Sequence, residues 1–120
     1  MPEGTPFTKV GRTESLGAKV VLSGEGLAEA REAALGEAEA GGLVFIHPYD
    51  DIDVIAGQAT VAKEILSQLE DVDLVFVPVG GGGLISGIAI AVGENNPDTE
   101  FWAAEPEGFD DTARSLTSGR

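Results

Sequence analysis

Apolar residues fall along this chain in two kinds of run. Short, nearly unbroken ones at 18–22, 43–46, 74–79 and 101–104 read as β-strands. The third, Leu74-Val75-Phe76-Val77-Pro78-Val79, is apolar in both alternating registers and so reads as a strand buried on both faces. Longer runs repeat at helical spacing. Phe7, Val10, Thr13 and Leu16 give the inner stripe of a helix over 6–16, with Thr5-Pro6 suited to its start and Gly17 to its end. Leu27, Ala30, Ala34, Leu35 and Ala38 do the same for 27–40, which Gly41-Gly42 stops. Ile52, Ile55, Ala59, Ala62, Leu66 and Leu69 mark a helix over 52–69. Further helices are predicted over 84–93 and 110–118. Strands alternating with helices predict an α/β fold with a parallel sheet and right-handed crossovers.

Between the central strand and its helix stand Gly80, Gly81, Gly82 and Gly83. A helix start offers unpaired N–H groups and the positive end of a dipole, both of which favour an anion. Glycines let several successive amides converge on it, because no Cβ blocks unusual φ values or close approach. The loop carries no Lys, lacks a G-K-[ST] ending and is not spaced G-x-G-x-x-G, which argues against a nucleoside triphosphate. A flexible linker does not sit between a buried strand and an apolar helix. The expected ligand is a phosphate group.

Charge narrows the partners. Twenty-one acidic residues against 7 basic ones give a net charge of −14, which makes nucleic acid and anionic membranes poor partners. A solvated acidic surface and a salt-rich habitat both account for that excess. No apolar run reaches the roughly 20 residues a membrane span needs. The first residues have no signal-peptide pattern, so a cytoplasmic protein is expected. The absence of Cys excludes a thiolate nucleophile or metal site, and a single His excludes a multi-His metal cluster within the chain.

P-V-G-G-G-G-L-I-S-G at 78–87 resembles the tetraglycine loop of fold-type II pyridoxal-phosphate enzymes (tryptophan synthase β-like), in particular the threonine/serine dehydratase and serine racemase branch. Five other stretches agree in the same order: M-P-E-G-T-P at 1–6, L-G-A-K-V at 16–20, I-H-P-Y-D-D at 46–51, I-A-G-Q-A-T at 55–60 and A-A-E-P at 103–106. The resemblance implies pyridoxal 5′-phosphate as cofactor, its phosphate held by the amides of Gly80, Gly81, Gly82, Gly83 and Leu84, with Tyr49 close to its ring. It implies β-elimination from L-threonine or L-serine, giving a 2-oxo acid and ammonia, with serine racemase as a sibling activity. It also implies a place in amino-acid metabolism, isoleucine biosynthesis included, and a homo-oligomer when the protein is full length. Residues 1–50 then belong to a small domain and 51–120 to a larger cofactor-gripping one, as an internal piece of the complete fold. A non-catalytic phosphate-binding α/β module using the loop alone is the reading from another class.

The same resemblance shows what is missing. The cofactor needs a Lys amine for its Schiff base. The family carries it in an S-x-K-x-R-G-A-like motif absent here, while Lys9, Lys19 and Lys63 read as solvated surface charges. No catalytic residue is therefore assigned within the chain, and alone it is expected to be inactive. His47, directly before Pro48 in a connection, reads as structural rather than as a general base. Ser86, one turn into the helix, reads as helix packing or as a phosphate contact. Glu105 and Asp111, with a carbonyl between them, suit either a hard cation or a helix cap by Asp110 and Asp111. The resemblance implies the cation, Mg²⁺ or Ca²⁺, on Glu105, the Phe109 carbonyl and Asp111.

Overall fold

The computed structural model describes residues 1–69 and 71–119. In chain order its elements are α1 (Phe7–Ser15), α2 (Leu27–Gly41), α3 (Ile52–Gln68), β1 (Leu74–Pro78), α4 (Gly83–Asn95), β2 (Glu100–Ala104) and α5 (Asp111–Ser118). They fall into two compact units, Met1–Phe45 and Ile46–Arg120. Among the described residues no helix is long and apolar enough to cross a membrane.

The first unit holds α1 and α2. The stripes expected to face inward do not: neither helix has a buried residue, and Phe7 is 86% exposed. An amphipathic stripe needs a second layer to cover it, and no sheet forms among the described residues of this unit. The strands expected at 18–22 and 43–46 are likewise absent. Near the first, backbone bonds run to the N-terminal arm instead. The Met1 ammonium donates to Val21 O at 2.8 Å, Ser23 N–H to Met1 O at 2.9 Å and Glu3 N–H to Gly24 O at 2.8 Å. A short apolar run states a preference for burial but does not name a ladder partner. Helix α2 ends as its glycines predict, with Gly42 left-handed at φ 62° and Leu43 N–H reaching back to Ala38 O at 2.8 Å.

The second unit is a β-α-β arrangement flanked by α3. Strands β1 and β2 pair in parallel, Leu74 opposite Glu100 through Pro78 opposite Ala104, with α4 making the connection that a parallel pair requires. Val75 and Val77 point into a core with Ala62 of α3 and Ile88 and Val92 of α4. Each such valine contributes about 2 kcal/mol by leaving water. Burial of β1 is one-sided, contrary to the two-sided burial expected: Phe76 is 65% exposed, and Trp102 on β2 is exposed too. Helices cover one face, and among the described residues the other has no layer against it.

Two local devices hold α3 against this core. The Asp51 carboxylate caps α3, its Oδ1 accepting from Asp53 N–H at 2.9 Å and Val54 N–H at 3.2 Å. At the crossing of α3 and α4, Gly87 lets the backbones meet: a Cβ there would lie 2.5 Å from Ile55 O and 2.7 Å from Ala59 N. Thr99, a buried polar side chain, is satisfied by Val72 O at 2.6 Å and ties the entry of β2 to the approach of β1.

Candidate functional site

The sheet ends where the glycines begin. Val79 N–H donates to Ala104 O at 2.8 Å, and the chain then turns through Gly80, Gly81 and Gly82 into α4. Gly82, the residue before the helix, sits at φ 86°, which side-chain-bearing residues rarely adopt. Ser86 N–H donates back to Gly82 O at 3.0 Å, so the first-turn amides of Gly83, Leu84 and Ile85 have no acceptor within the helix. A cavity of about 330 Å³ lies at this corner, lined by all four glycines, Leu84, Tyr49 and Gln58 among others. The six residues singled out for the cofactor therefore surround one space.

A second cavity of about 580 Å³ shares Tyr49, Gly80, Gly81 and Gly82 and is bounded on α5 by Asp111, Thr112, Ser115 and Leu116. Thr112 and Ser115 went unnoticed in the sequence because nothing local ties α5 to a loop thirty residues earlier. Neither cavity is lined by Lys or Arg. Lys63 lines a separate groove between α3 and α4 with Glu94, and Lys9 and Lys19 belong to the first unit.

Tyr49 explains part of the glycine run. A Cβ at Gly81 would clash with the Tyr49 ring at Cδ1, Cγ and Cε1, and one at Gly83 would lie 3.1 Å from Tyr49 Cα and Cβ. At Gly80 and Gly82 a Cβ would meet open space. Two of the four glycines thus make room for Tyr49, while Gly80 and Gly82 leave their surroundings clear. Close approach of Tyr49 is therefore one reason for the run.

The acidic cluster after β2 is arranged differently from expectation. Glu105 caps α5 from outside it, accepting from Thr112 N–H at 2.9 Å through one carboxylate oxygen and from Ala113 N–H at 3.0 Å through the other. Asp110 stands at the N-cap position without a side-chain cap bond, so the expected cap by Asp110 and Asp111 is corrected to a cap by Glu105. Asp110 and Asp111 both pair with Arg114. Among the described residues no group of three or more His, Cys, Asp or Glu side chains could hold a metal ion. Glu105 and Asp111 are thus each engaged within the protein, Glu105 with α5 and Asp111 with Arg114.

The Thr112 and then the Ala113 N–H bonds hold the Glu105 carboxyl below its ordinary pKa. A depressed carboxylate stabilises the fold above its unfolded pKa, and the contribution is lost as pH falls through the folded value. Glu105→Ala is therefore expected to lower the melting temperature above about pH 4.5, with the difference from wild type closing below it. The same loss is expected in Mg²⁺ and in chelator. A loss confined to Mg²⁺ would restore the cation.

The family described as pyridoxal-phosphate dependent enzyme matches residues 1–120, the whole chain. The chain belongs to that family. This pyridoxal-phosphate family member is 46% identical over 120 residues to an L-threonine ammonia-lyase of Thermotoga maritima, covering all of this chain and 30% of the relative. It is 41% identical to a serine racemase of Arabidopsis thaliana, covering all of this chain and 36% of that protein. Its backbone matches the processed form of threonine deaminase isoform 2 from Solanum lycopersicum at a TM-score of 0.91 and 43% identity, over 100% of this chain and 33% of that one. The chain thus spans about a third of the length of these relatives, and its fold is part of a fold-type II enzyme.

The residues present fit the family's cofactor. A phosphate monoester is a compact dianion. A helix N-terminus whose first-turn amides have no acceptor within the helix, a left-handed Gly82 and open space beside Gly80 and Gly82 suit such a group. No Lys or Arg lines this cavity, so a phosphate placed there would be met by backbone dipoles.

Proposed function

We propose that this chain supplies the phosphate grip of a pyridoxal-phosphate enzyme that releases a 2-oxo acid and ammonia from L-threonine or L-serine. The observation that carries the reading is the glycine corner itself: four glycines at the start of α4, with Leu84 and Tyr49 on the same cavity and no basic side chain lining it. When bound, the cofactor supplies an electron sink for bond-breaking at the amino-acid Cα. The chain's part is to bind and orient it. Amides of Gly80, Gly81, Gly82, Gly83 and Leu84 hold the phosphate, and Tyr49 bounds the space beside it. The Asp51 cap, at the start of the helix that packs on α4, steadies the corner.

Within this proposal the second unit is part of the large domain, the first part of the small one, and the intact protein is a cytoplasmic homo-oligomer. Relatives named both catabolic and biosynthetic support amino-acid metabolism without favouring isoleucine biosynthesis. A divalent cation on Glu105, the Phe109 carbonyl and Asp111 rests on the sequence resemblance alone, and equal melts of Glu105→Ala in Mg²⁺ and in chelator would set it aside. Serine racemase is the second reading, favoured by the Arabidopsis relative.

The 120-residue chain alone, given cofactor, is expected to release no 2-oxo acid from either substrate, because the family's lysine motif is not in it. The intact protein is expected to turn over both. Turnover by the chain in proportion to its concentration would overturn the division of labour. D-serine outweighing 2-oxo acid from L-serine would select the racemase.

A further inference from the structure

Tyr49 lies against the glycine loop with its ring at Gly81 and its backbone at Gly83, yet it belongs to an exposed connection and is itself 44% exposed. Something must hold it there. His47, two residues earlier, touches it in two ways. Its Nδ1 accepts from Asp50 N–H at 2.8 Å and, more loosely, from Tyr49 N–H at 3.4 Å, closing the turn on both sides of Tyr49. Its ring meets the Tyr49 ring edge to face, with centroids 4.7 Å apart and planes at 84°. Pro48 between them has a restricted φ and leaves the turn few alternatives.

We propose that His47 is a positioning residue: by accepting backbone N–H at Nδ1 it fixes the turn that lays Tyr49 on Gly81, and so shapes the phosphate cradle. The proposal rests on the glycine loop being that cradle. An acceptor at Nδ1 sets the Tyr49 backbone, and the backbone sets where the ring lands. The ring contact alone is secondary, since an edge-on neighbour can slide while a closed turn cannot.

Substitutions separate the two contacts. In His47→Asn the amide Oδ1 stands where Nδ1 stood, which keeps the acceptor and removes the ring. In His47→Phe the ring remains and the acceptor is gone. His47 is half-buried but lies outside the core cluster of Ala62, Val75, Val77, Ile88 and Val92, so neither change removes a core contact. In the intact protein, with labelled glycine and no cofactor, the ring-current shift of Tyr49 on the Gly81 α-protons is measured by NMR, and Tyr49→Ala defines its complete loss. His47→Phe is expected to lose the shift and to retain pyridoxal phosphate about fivefold more weakly, the scale of one net hydrogen bond. His47→Asn is expected to keep both. A Gly81 shift that survives in His47→Phe, or vanishes as fully in His47→Asn, overturns the proposal. A shift lost in His47→Phe with cofactor retention unchanged upholds the positioning of Tyr49 and refutes the loop as phosphate site.

Discussion

Alanine or valine at Gly81 is expected to weaken pyridoxal-phosphate retention by the intact protein ten- to a hundredfold, and removal of the Tyr49 ring is expected to restore much of that loss for alanine. The added Cβ would overlap the Tyr49 ring, so the loop or Tyr49 must shift. Overpacking of this kind costs about 1–3 kcal/mol, roughly five- to 150-fold in affinity, and the expected loss sits in the middle of that span. In Gly81→Ala/Tyr49→Ala the methyl has room, and the double variant should bind better than the sum of the two single losses allows. Retention is read from cofactor absorbance after gel filtration. If Gly81 were required only so that the phosphate could approach, Tyr49→Ala would restore nothing. Gly82→Ala provides the contrast. Its Cβ meets no atom within 4 Å, so any loss there comes from the left-handed φ of 86° and is not rescued by Tyr49→Ala.

The second large effect is on stability. Gly87→Ala is expected to destabilise the protein by about 3 kcal/mol in urea unfolding, against the usual gain of an alanine in a helix. The added methyl would stand 2.5 Å from Ile55 O, 2.7 Å from Ala59 N and 3.0 Å from Gln58 C. All three are backbone atoms of α3, so relief requires moving α3 away from α4 and opening the core around Ala62, Ile88 and Val92. Gly93, in the same helix, meets nothing within 4 Å, and Gly93→Ala is expected to be stabilising by about 0.5–1 kcal/mol. Equal gains at both positions would show that the helices do not approach at Gly87.

These two glycines also show which parts of the molecule were legible in the chain. The strand–glycine–helix corner was, because an apolar strand, consecutive glycines and an apolar helix are all local patterns with local consequences. The long apolar spacing of α3 and the stop of α2 at Gly41-Gly42 were legible for the same reason. Gly87 was not, since its requirement comes from another helix, and neither was the reason for Gly81, which comes from a ring thirty-two positions earlier. Glu105 read as half of a cation site or a bystander to a helix cap. Capping from six residues before the helix is a tertiary event, invisible to a search for Asp or Ser at the cap itself. Strands at 18–22 and 43–46 failed on the same ground, because an apolar run cannot say what lies beside it. Phe76 and Trp102 carry the opposite lesson. They declare a face suited to burial, which no other described element covers.

The most direct measurement is an amide chemical-shift titration of the intact protein with pyridoxal phosphate. Large, concerted movement of Gly80, Gly81, Gly82, Gly83 and Leu84, with the groove around Lys63 and Glu94 still, is the predicted result. Movement centred on Lys63, or on any other lysine or arginine of residues 1–120, with the five loop amides unmoved would contradict a phosphate held by the glycine corner.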